Sequence, residues 1–276
     1  MDIKEFAGGT PAWCPGCGDF AILAALKRAL AELDISPSQA VVVSGIGQAG
    51  KMPHYMQVNT FNTLHGRTLP TATGIKQVNP ELTVLAVSGD GDGYGEGGNH
   101  FLHALRRNLD ITYIVCDNRV FGLTKGQVSP TAPLGRAGGL TPGGSQYPAF
   151  NPLTLAIAQD ISFVARGSAT DKEHLAELIK AAILTPGMAF IDVLQPCVSF
   201  NKINTWQWYR ERVYHVEGHR PDDRERALAL AESEDEAIPI GILYRSQRTS
   251  PTPKNVLTSS GKIPEKLAGI MKTYEV

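Results

Sequence analysis

The chain of 276 residues holds no apolar run near the roughly 18 residues that a membrane-spanning helix needs. Its first ten residues, MDIKEFAGGT, lack the apolar core of a secretory signal. The expected location is therefore the cytoplasm, without membrane contact. Neither sign of charge is in excess: 26 Lys and Arg stand against 27 Asp and Glu, for a net charge of −1. No basic surface is on offer to nucleic acid or anionic lipid, so neither is an expected partner. Cysteine is scarce, four in all, too few for a disulfide scaffold. Internal repeats and low-complexity tracts are missing as well. What is there is an ordinary apolar fraction of 42%, enough for one large α/β domain or two small ones.

Five short apolar runs alternate with helical patterns. The runs AVVVSGIG (40–47), LTVLAVSGDG (82–91), ITYIVCDN (111–118), ISFVARG (161–167) and MAFIDVLQP (188–196) are rich in β-branched residues and bounded by turn formers. Strands apolar on both faces suit a parallel sheet covered by helices on both sides. One helix is expected from Asp19 as N-cap, burying Ile22, Leu23, Leu26, Leu30 and Leu33. Another follows Thr170, which forms a capping box with Glu173, and buries Leu175, Leu178, Ile179, Ala182 and Ile183. The fold class is α/β, an open, doubly wound, mostly parallel sheet. Ligands of such sheets sit beyond the carboxyl ends of strands, here after Val43, Val87 and Val115. Past residue 200 the alternation stops, and residues 204–236 mix two tryptophans with many charges and one helical stretch. The expected division is a domain over 1–200 and an extended C-terminal arm over 201–276, packed on a partner subunit.

The second run ends in SGDGDGYGEGG (88–98). Gly93, Gly95 and Gly98 match the G-x-G-x-x-G of dinucleotide sites. Asp90 and Asp92, however, stand where a bare pyrophosphate would approach, and nicotinamide sites carry no cation to bridge that repulsion. Asp90-x-Asp92 also opens like an EF-hand loop, but the position of the bidentate acid is Phe101. Diphosphate binding through Mg²⁺ satisfies the pattern. Asp90 takes the cation at a strand end, and Gly89 and Gly91 let the backbone approach the phosphates. Asn118, 28 residues on, ends the next strand and supplies a second hard oxygen. Glu96 reads as a solvated loop acid, Cys116 as a small buried hydrophobe, and His100 with His103 as a structural pair.

Gly89-Asp90-Gly91 followed by Asn118 resembles the thiamine diphosphate fingerprint. Five blocks in order, WCPGCGDF, SGIGQAGKMPHY, LHGRTLPTATGIK, GDGDGYGEGGNHF and DNRVFGLTKGQVSPT, resemble the β subunits of the 2-oxoacid:ferredoxin oxidoreductases over about residues 10–200. The resemblance implies bound thiamine diphosphate and Mg²⁺, the cation held by Asp90, Asn118 and the carbonyl of Val120. It implies that Gly91 and Asp92 lie along the diphosphate, with Gly122, Leu123 and Thr124 closing over it. Ile46, Gly47, Gln48 and Ala49 would flank the cofactor, His65 would sit near the diphosphate, and Lys51 near the coenzyme A and substrate mouth. The implied reaction is oxidative decarboxylation of a 2-oxoacid, pyruvate or 2-oxoglutarate. The thiazolium ylide attacks the keto carbon, CO₂ leaves, two electrons pass singly through an iron–sulfur relay to ferredoxin, and coenzyme A takes the acyl group. No glutamate able to activate the aminopyrimidine is assignable, so no catalytic residue is named in this chain. Complete single-chain thiamine enzymes need two such domains. The chain is therefore expected to be half an active site, working only with an α, or fused αγ, subunit that carries the pyrimidine-binding domain.

Cys14 and Cys17 form a C-x-x-C pair that suits a redox dithiol, half a zinc site or half an iron–sulfur site. A thioredoxin-type dithiol follows a strand, and no strand pattern precedes Cys14. In the related β subunits four cysteines hold a [4Fe-4S] cluster, and Cys14, Cys17 and Cys197 match three of those positions. The fourth is Gln48, whose neutral amide is a poor iron ligand. The resemblance thus implies a cluster with one non-cysteine corner. Two other readings compete: a cofactor-free scaffold subunit, and the diphosphate-binding subunit of a non-redox thiamine-dependent decarboxylase or synthase, which would not need the cysteines.

Overall fold

A computed structural model describes residues 1–234 and 236–252, and the structural statements below concern these. In chain order the strands are β1 (Ala40–Ser44), β2 (Asn59–Asn62), β3 (Thr83–Gly89), β4 (Thr112–Asp117), β5 (Val120–Phe121), β6 (Gln127–Val128), β7 (Phe163–Ser168), β8 (Ala189–Leu194), β9 (Val213–His215) and β10 (Ile238–Arg245). The helices are α1 (Asp19–Glu32), α2 (Thr68–Val78), α3 (Gly98–Arg107), α4 (Pro152–Ala158), α5 (Lys172–Ile183), α6 (Trp206–Arg210) and α7 (Arg224–Glu232). Eight strands form one sheet in the order β2-β1-β3-β4-β8-β7-β10-β9, while β5 and β6 pair apart from it. The six strands from β2 to β7 are parallel, and β10 closes antiparallel on β7. The five apolar runs are all strands, and the doubly wound α/β class holds.

Alternation along each strand divides the core in two. Leu85, Val87, Ile114, Ile191 and Val193 face α1 and α5, whereas Val84, Ala86, Tyr113, Val115 and Phe190 face α2, α3, α4 and α7. Packing, more than capping, holds α1. It has no side-chain cap, yet Leu26 and Leu30 are fully buried. A cap contributes ~1 kcal/mol, and burying one leucine contributes about 1.5–3 kcal/mol. Asp19 is therefore not the cap that its residue type suggests: Gly18 holds that position, and Asp19 is the buried first helical residue. The cap of α5 also moves by one residue. Asp171 accepts the His174 N–H at 3.0 Å, while the Thr170 hydroxyl lies 2.8 Å from Ser168 Oγ.

The expected boundary at residue 200 does not end the folded domain. β10 pairs with β7 (Gly241 opposite Arg166, Ile242 opposite Ala165), and α7 packs on the α4 side of the sheet. Arg166, fully buried, donates to the carbonyls of Ala231 at 2.7 Å and Ser233 at 2.9 Å, which fastens the end of α7. The two tryptophans turn inward. Trp206 Nε1 donates to the Gly16 carbonyl at 2.8 Å, and Trp208 stacks under Arg212 at 4.6 Å. The remainder of the expected arm, 253–276, lies outside the described residues. No described helix is long and apolar enough to cross a membrane.

Candidate active site

The carboxyl ends of β1, β3 and β4 open into one cleft. Its wall holds Ile46, Gly47, Gln48, Ala49, His65, Gly89, Asp90, Gly91, Asp92, Asn118, Val120, Gly122, Leu123 and Thr124, which brings together every residue expected around the diphosphate and its cation. Phe121 joins them, its ring so close to Gly91 that a Cβ there would lie 2.4 Å from it. Lys51 is half-buried on the short 3-10 segment Ala49–Tyr55, outside this wall.

Asp90 is buried, and its Oδ2 accepts from Ser129 Oγ at 2.5 Å and Thr131 Oγ1 at 2.7 Å. Thr131 Oγ1 also lies 2.6 Å from Asp117 Oδ1. One hydroxyl has one proton, so Thr131 can serve both acids only when one of them is protonated. Burial and the neighbouring Asp117 push the Asp90 carboxyl well above the usual carboxylate range, against the two hydroxyl donors. A divalent cation on Asp90 would supply the charge that keeps it ionised.

Asn118 ends β4 in an Asx turn, its Oδ1 accepting the Val120 N–H at 3.0 Å. Arg119, between them, has φ 63°, a region that non-glycine residues seldom occupy, and this tight turn brings Val120 to the wall. Asn201 Nδ2 holds the Asn118 carbonyl at 3.0 Å, and Arg136 in turn holds Asn201 Oδ1 at 3.0 Å. A carboxylate, an amide and a backbone carbonyl are hard oxygen donors, and few in number, which fits Mg²⁺ completed by phosphate oxygens.

Asp92 reaches the wall but is engaged elsewhere. Its Oδ1 accepts the N–H groups of Ile46 at 3.0 Å and Gly66 at 2.8 Å, and His65 Nδ1 stands 2.9 Å from the same oxygen. The carboxylate packs so tightly on Gly45 that a Cβ there would fall 1.8 Å from Asp92 Oδ2. Asp92 is a brace between the loops that follow β1 and β2.

A second, narrower pocket adjoins the cleft. Cys14, Cys17 and Cys197 line it together with Gln48, so the three expected cysteines and the residue at the fourth position do meet. Gln48, Asn118 and Gly122 belong to both walls. The chain builds this pocket from three distant segments. Cys17 N–H closes a turn on the Cys14 carbonyl at 3.0 Å, and Gly18 N–H bonds the Pro196 carbonyl at 3.1 Å. Trp13 Nε1 holds the Gln48 carbonyl at 2.9 Å and packs edge-on against Tyr55 and Phe20. All four cysteines are free thiols.

Burial and the nearby Asp19 push the Cys17 thiol far up, and burial pushes the Asp19 carboxyl up to about 6. Asp19 Oδ1, Gln48 Oε1 and Gln195 Oε1 are buried without a hydrogen-bond partner. Orphaned oxygens beside three thiols mark a place that suits an electropositive guest. The three sulfurs do not all lie within 4.8 Å of one another, whereas tetrahedral zinc holds its sulfurs about 4 Å apart. The Gln48 corner offers no thiolate.

Sequence reasoning did not find Ser129, Thr131, Asn201 or Gln195, and took Asp19 for a helix cap. Ser129 and Thr131 sit in the block GQVSPT, but nothing local ties that block to Asp90, 39 and 41 residues away.

Residues 39–193 match the family model described as thiamine pyrophosphate enzyme, C-terminal TPP binding domain. Residues 197–257 match the model for the C-terminal region of the pyruvate ferredoxin oxidoreductase beta subunit. The chain is 46% identical over 244 residues to 2-oxoacid:ferredoxin oxidoreductase 1, subunit beta, of Aeropyrum pernix, covering 84% of this chain and 77% of that one. It is 42% identical over 189 residues to the 2-oxoglutarate oxidoreductase subunit KorB of Mycobacterium tuberculosis, covering 68% and 51%. Among solved structures, the 2-oxoglutarate:ferredoxin oxidoreductase of Magnetococcus marinus, with 2-oxoglutarate, coenzyme A and succinyl-CoA bound, matches with a TM-score of 0.88 at 35% identity. That match covers 100% of this chain and 97% of the other.

Proposed function

The chain belongs to the β subunits of the thiamine diphosphate-dependent 2-oxoacid:ferredoxin oxidoreductases, and from that membership we propose that it forms the diphosphate half of a site that oxidises 2-oxoglutarate. The membership sets aside the scaffold and non-redox readings. The observation that carries the proposal is the shared wall: Gln48, Asn118 and Gly122 separate the Asp90 cleft from the cysteine pocket by one layer of residues. A donor and an acceptor of single electrons would be neighbours across it. The substrate follows the relatives from M. tuberculosis and M. marinus, whose names give 2-oxoglutarate.

Asp90, Asn118 and the Val120 carbonyl would hold Mg²⁺, and Gly89 and Gly91 would admit the phosphates. Bound thiamine diphosphate supplies the carbanion chemistry by which a 2-oxoacid loses CO₂. The chain's own residues supply position. Ser129 and Thr131 fix Asp90, Asn201 fixes Asn118, and Asp92 holds the loops bearing Ile46 and His65 in place. Leu123 and Thr124, on the cleft wall, would cover the diphosphate, and Lys51, outside that wall, would serve a substrate carboxylate or coenzyme A at the mouth. Cys14, Cys17 and Cys197 would anchor a cluster that passes electrons to ferredoxin. No glutamate lines the cleft among the described residues, which supports a partner α, or fused αγ, subunit as the source of the activating acid. Free thiols throughout accord with a reducing cytoplasm.

Reconstitution with that subunit tests the reading. The complex should reduce a viologen dye with 2-oxoglutarate and coenzyme A, at least ~10-fold faster than with pyruvate, and the isolated chain should turn over neither. Turnover by the homogeneous chain alone, or preference for pyruvate, would contradict it.

A further inference from the structure

Asp171, His174 and His215 lie outside both walls described above. Asp171 caps α5, and while its Oδ1 accepts the His174 N–H, its Oδ2 lies 2.9 Å from His215 Nε2. His215 is the last residue of β9, the outermost strand of the sheet, so the trio joins the start of α5 to the sheet edge. β9 is held by three register pairs to β10 alone, which leaves it the most weakly tied strand of that edge. The two imidazoles face each other with centroids 4.3 Å apart and planes 21° from parallel. One ligand atom from each of the three residues lies within 4.8 Å of the other two, and no other trio of His, Cys, Asp or Glu among the described residues meets that spacing.

The chemistry of this trio asks for a cation. His174 Nδ1 is buried and has no hydrogen-bond partner, an orphan nitrogen with a lone pair or proton to place. Facing imidazoles this close repel one another when both are protonated. Two imidazoles and one carboxylate, with His215 open to solvent, form the donor set of late first-row divalent ions. The hard oxygen set at Asp90 has a different taste in metal, and an ion taken up by Cys14, Cys17 and Cys197 would differ from one at the trio in its thiolate ligands, so the three sites are distinguishable by their donors.

We propose that Asp171, His174 and His215 bind one divalent late first-row transition metal ion, of the Zn²⁺ class, which clips β9 to the start of α5. On binding, His215 gives up the hydrogen bond from Nε2 to Asp171 by carrying its proton on Nδ1, and the carboxylate that accepted the bond becomes a ligand instead. The Asp171 oxygen that caps α5 is not required for the metal, so the cap and the clip coexist.

Cobalt(II) is the probe, because its spectrum reports its ligands. The metal-stripped full chain, titrated anaerobically with Co²⁺, should bind one equivalent whose ligand-field bands carry no thiolate-to-cobalt charge transfer, separate from any ion that Cys14, Cys17 and Cys197 take up. Asp171→Asn, which keeps a good N-cap, and His174→Gln and His215→Gln should each weaken that binding at least ~10-fold. Thermal unfolding of the wild type should shift upward with Co²⁺, and that shift should vanish in His215→Gln. The proposal is overturned if Co²⁺ gives only thiolate charge transfer, or if the ligand-field bands survive unchanged in the histidine variants.

Discussion

Asp90 receives hydroxyl protons from Ser129 and Thr131, whereas Asp92, two residues on, receives the backbone N–H groups of Ile46 and Gly66. The first arrangement leaves a buried carboxyl beside Asp117 short of positive charge, whereas in the second Oδ1 is fully engaged by the fold and only Oδ2 is left without a partner. Conservative amides separate the two roles. Asp90→Asn keeps the shape but removes the charge a cation needs, and should weaken Mg²⁺-dependent thiamine diphosphate binding to the reconstituted complex at least ~10-fold, about 1.4 kcal/mol. Asp92→Asn keeps an acceptor oxygen for both N–H groups and should cost several-fold less. Calorimetric titration of the two variants decides between them. Equal losses would mean that Asp90 is not the metal ligand.

At the scale of elements, Arg166 carries the junction between the parallel sheet and the segment after residue 200. Its guanidinium, inside β7, meets the last carbonyls of α7 and the Glu234 carboxylate at 3.1 Å. Removing one side of a buried charged network costs ~3–5 kcal/mol, so Arg166→Met should lower the urea stability of the chain by at least ~3 kcal/mol. A loss under ~1 kcal/mol would show that α7 and β10 are held without it. This junction was not legible in the sequence, because its signals contradict strand rules. Pro239 and Gly241 lie inside β10, where Pro239 pairs only with the edge strand β9 and pairing with β7 begins at Gly241. The buried parallel strands were legible, since their β-branched runs have no other stable home. The cleft residues were legible too, because glycines and acids at strand ends follow the sheet's own geometry. Their supports were not: Ser129, Thr131 and Asn201 reach the site from loops 39 to 83 residues away, a matter of tertiary folding. Nor did the pattern show that Asp19 would be buried beside Cys17.

Over the whole molecule, the two cavities share one wall, and each is incomplete in its own way. The cleft lacks an activating acid among the described residues, which points to a second polypeptide as its source. The pocket has three thiols, with the Gln48 amide at the position of a fourth, which fits a cluster with one non-cysteine corner. That corner is on the wall shared with the cleft, the side from which electrons would come. The proposed oxidation therefore stands or falls on a substrate-reducible cluster behind Gln48. The most direct measurement is an anaerobic optical titration of the reconstituted complex, with iron and acid-labile sulfide determined on the same sample. Such a cluster should give broad visible absorbance that bleaches when 2-oxoglutarate and coenzyme A are added, returns with an electron acceptor, and survives air longer in Gln48→Cys. A complex free of iron that turns over at the same rate, or absorbance indifferent to substrate, would contradict it.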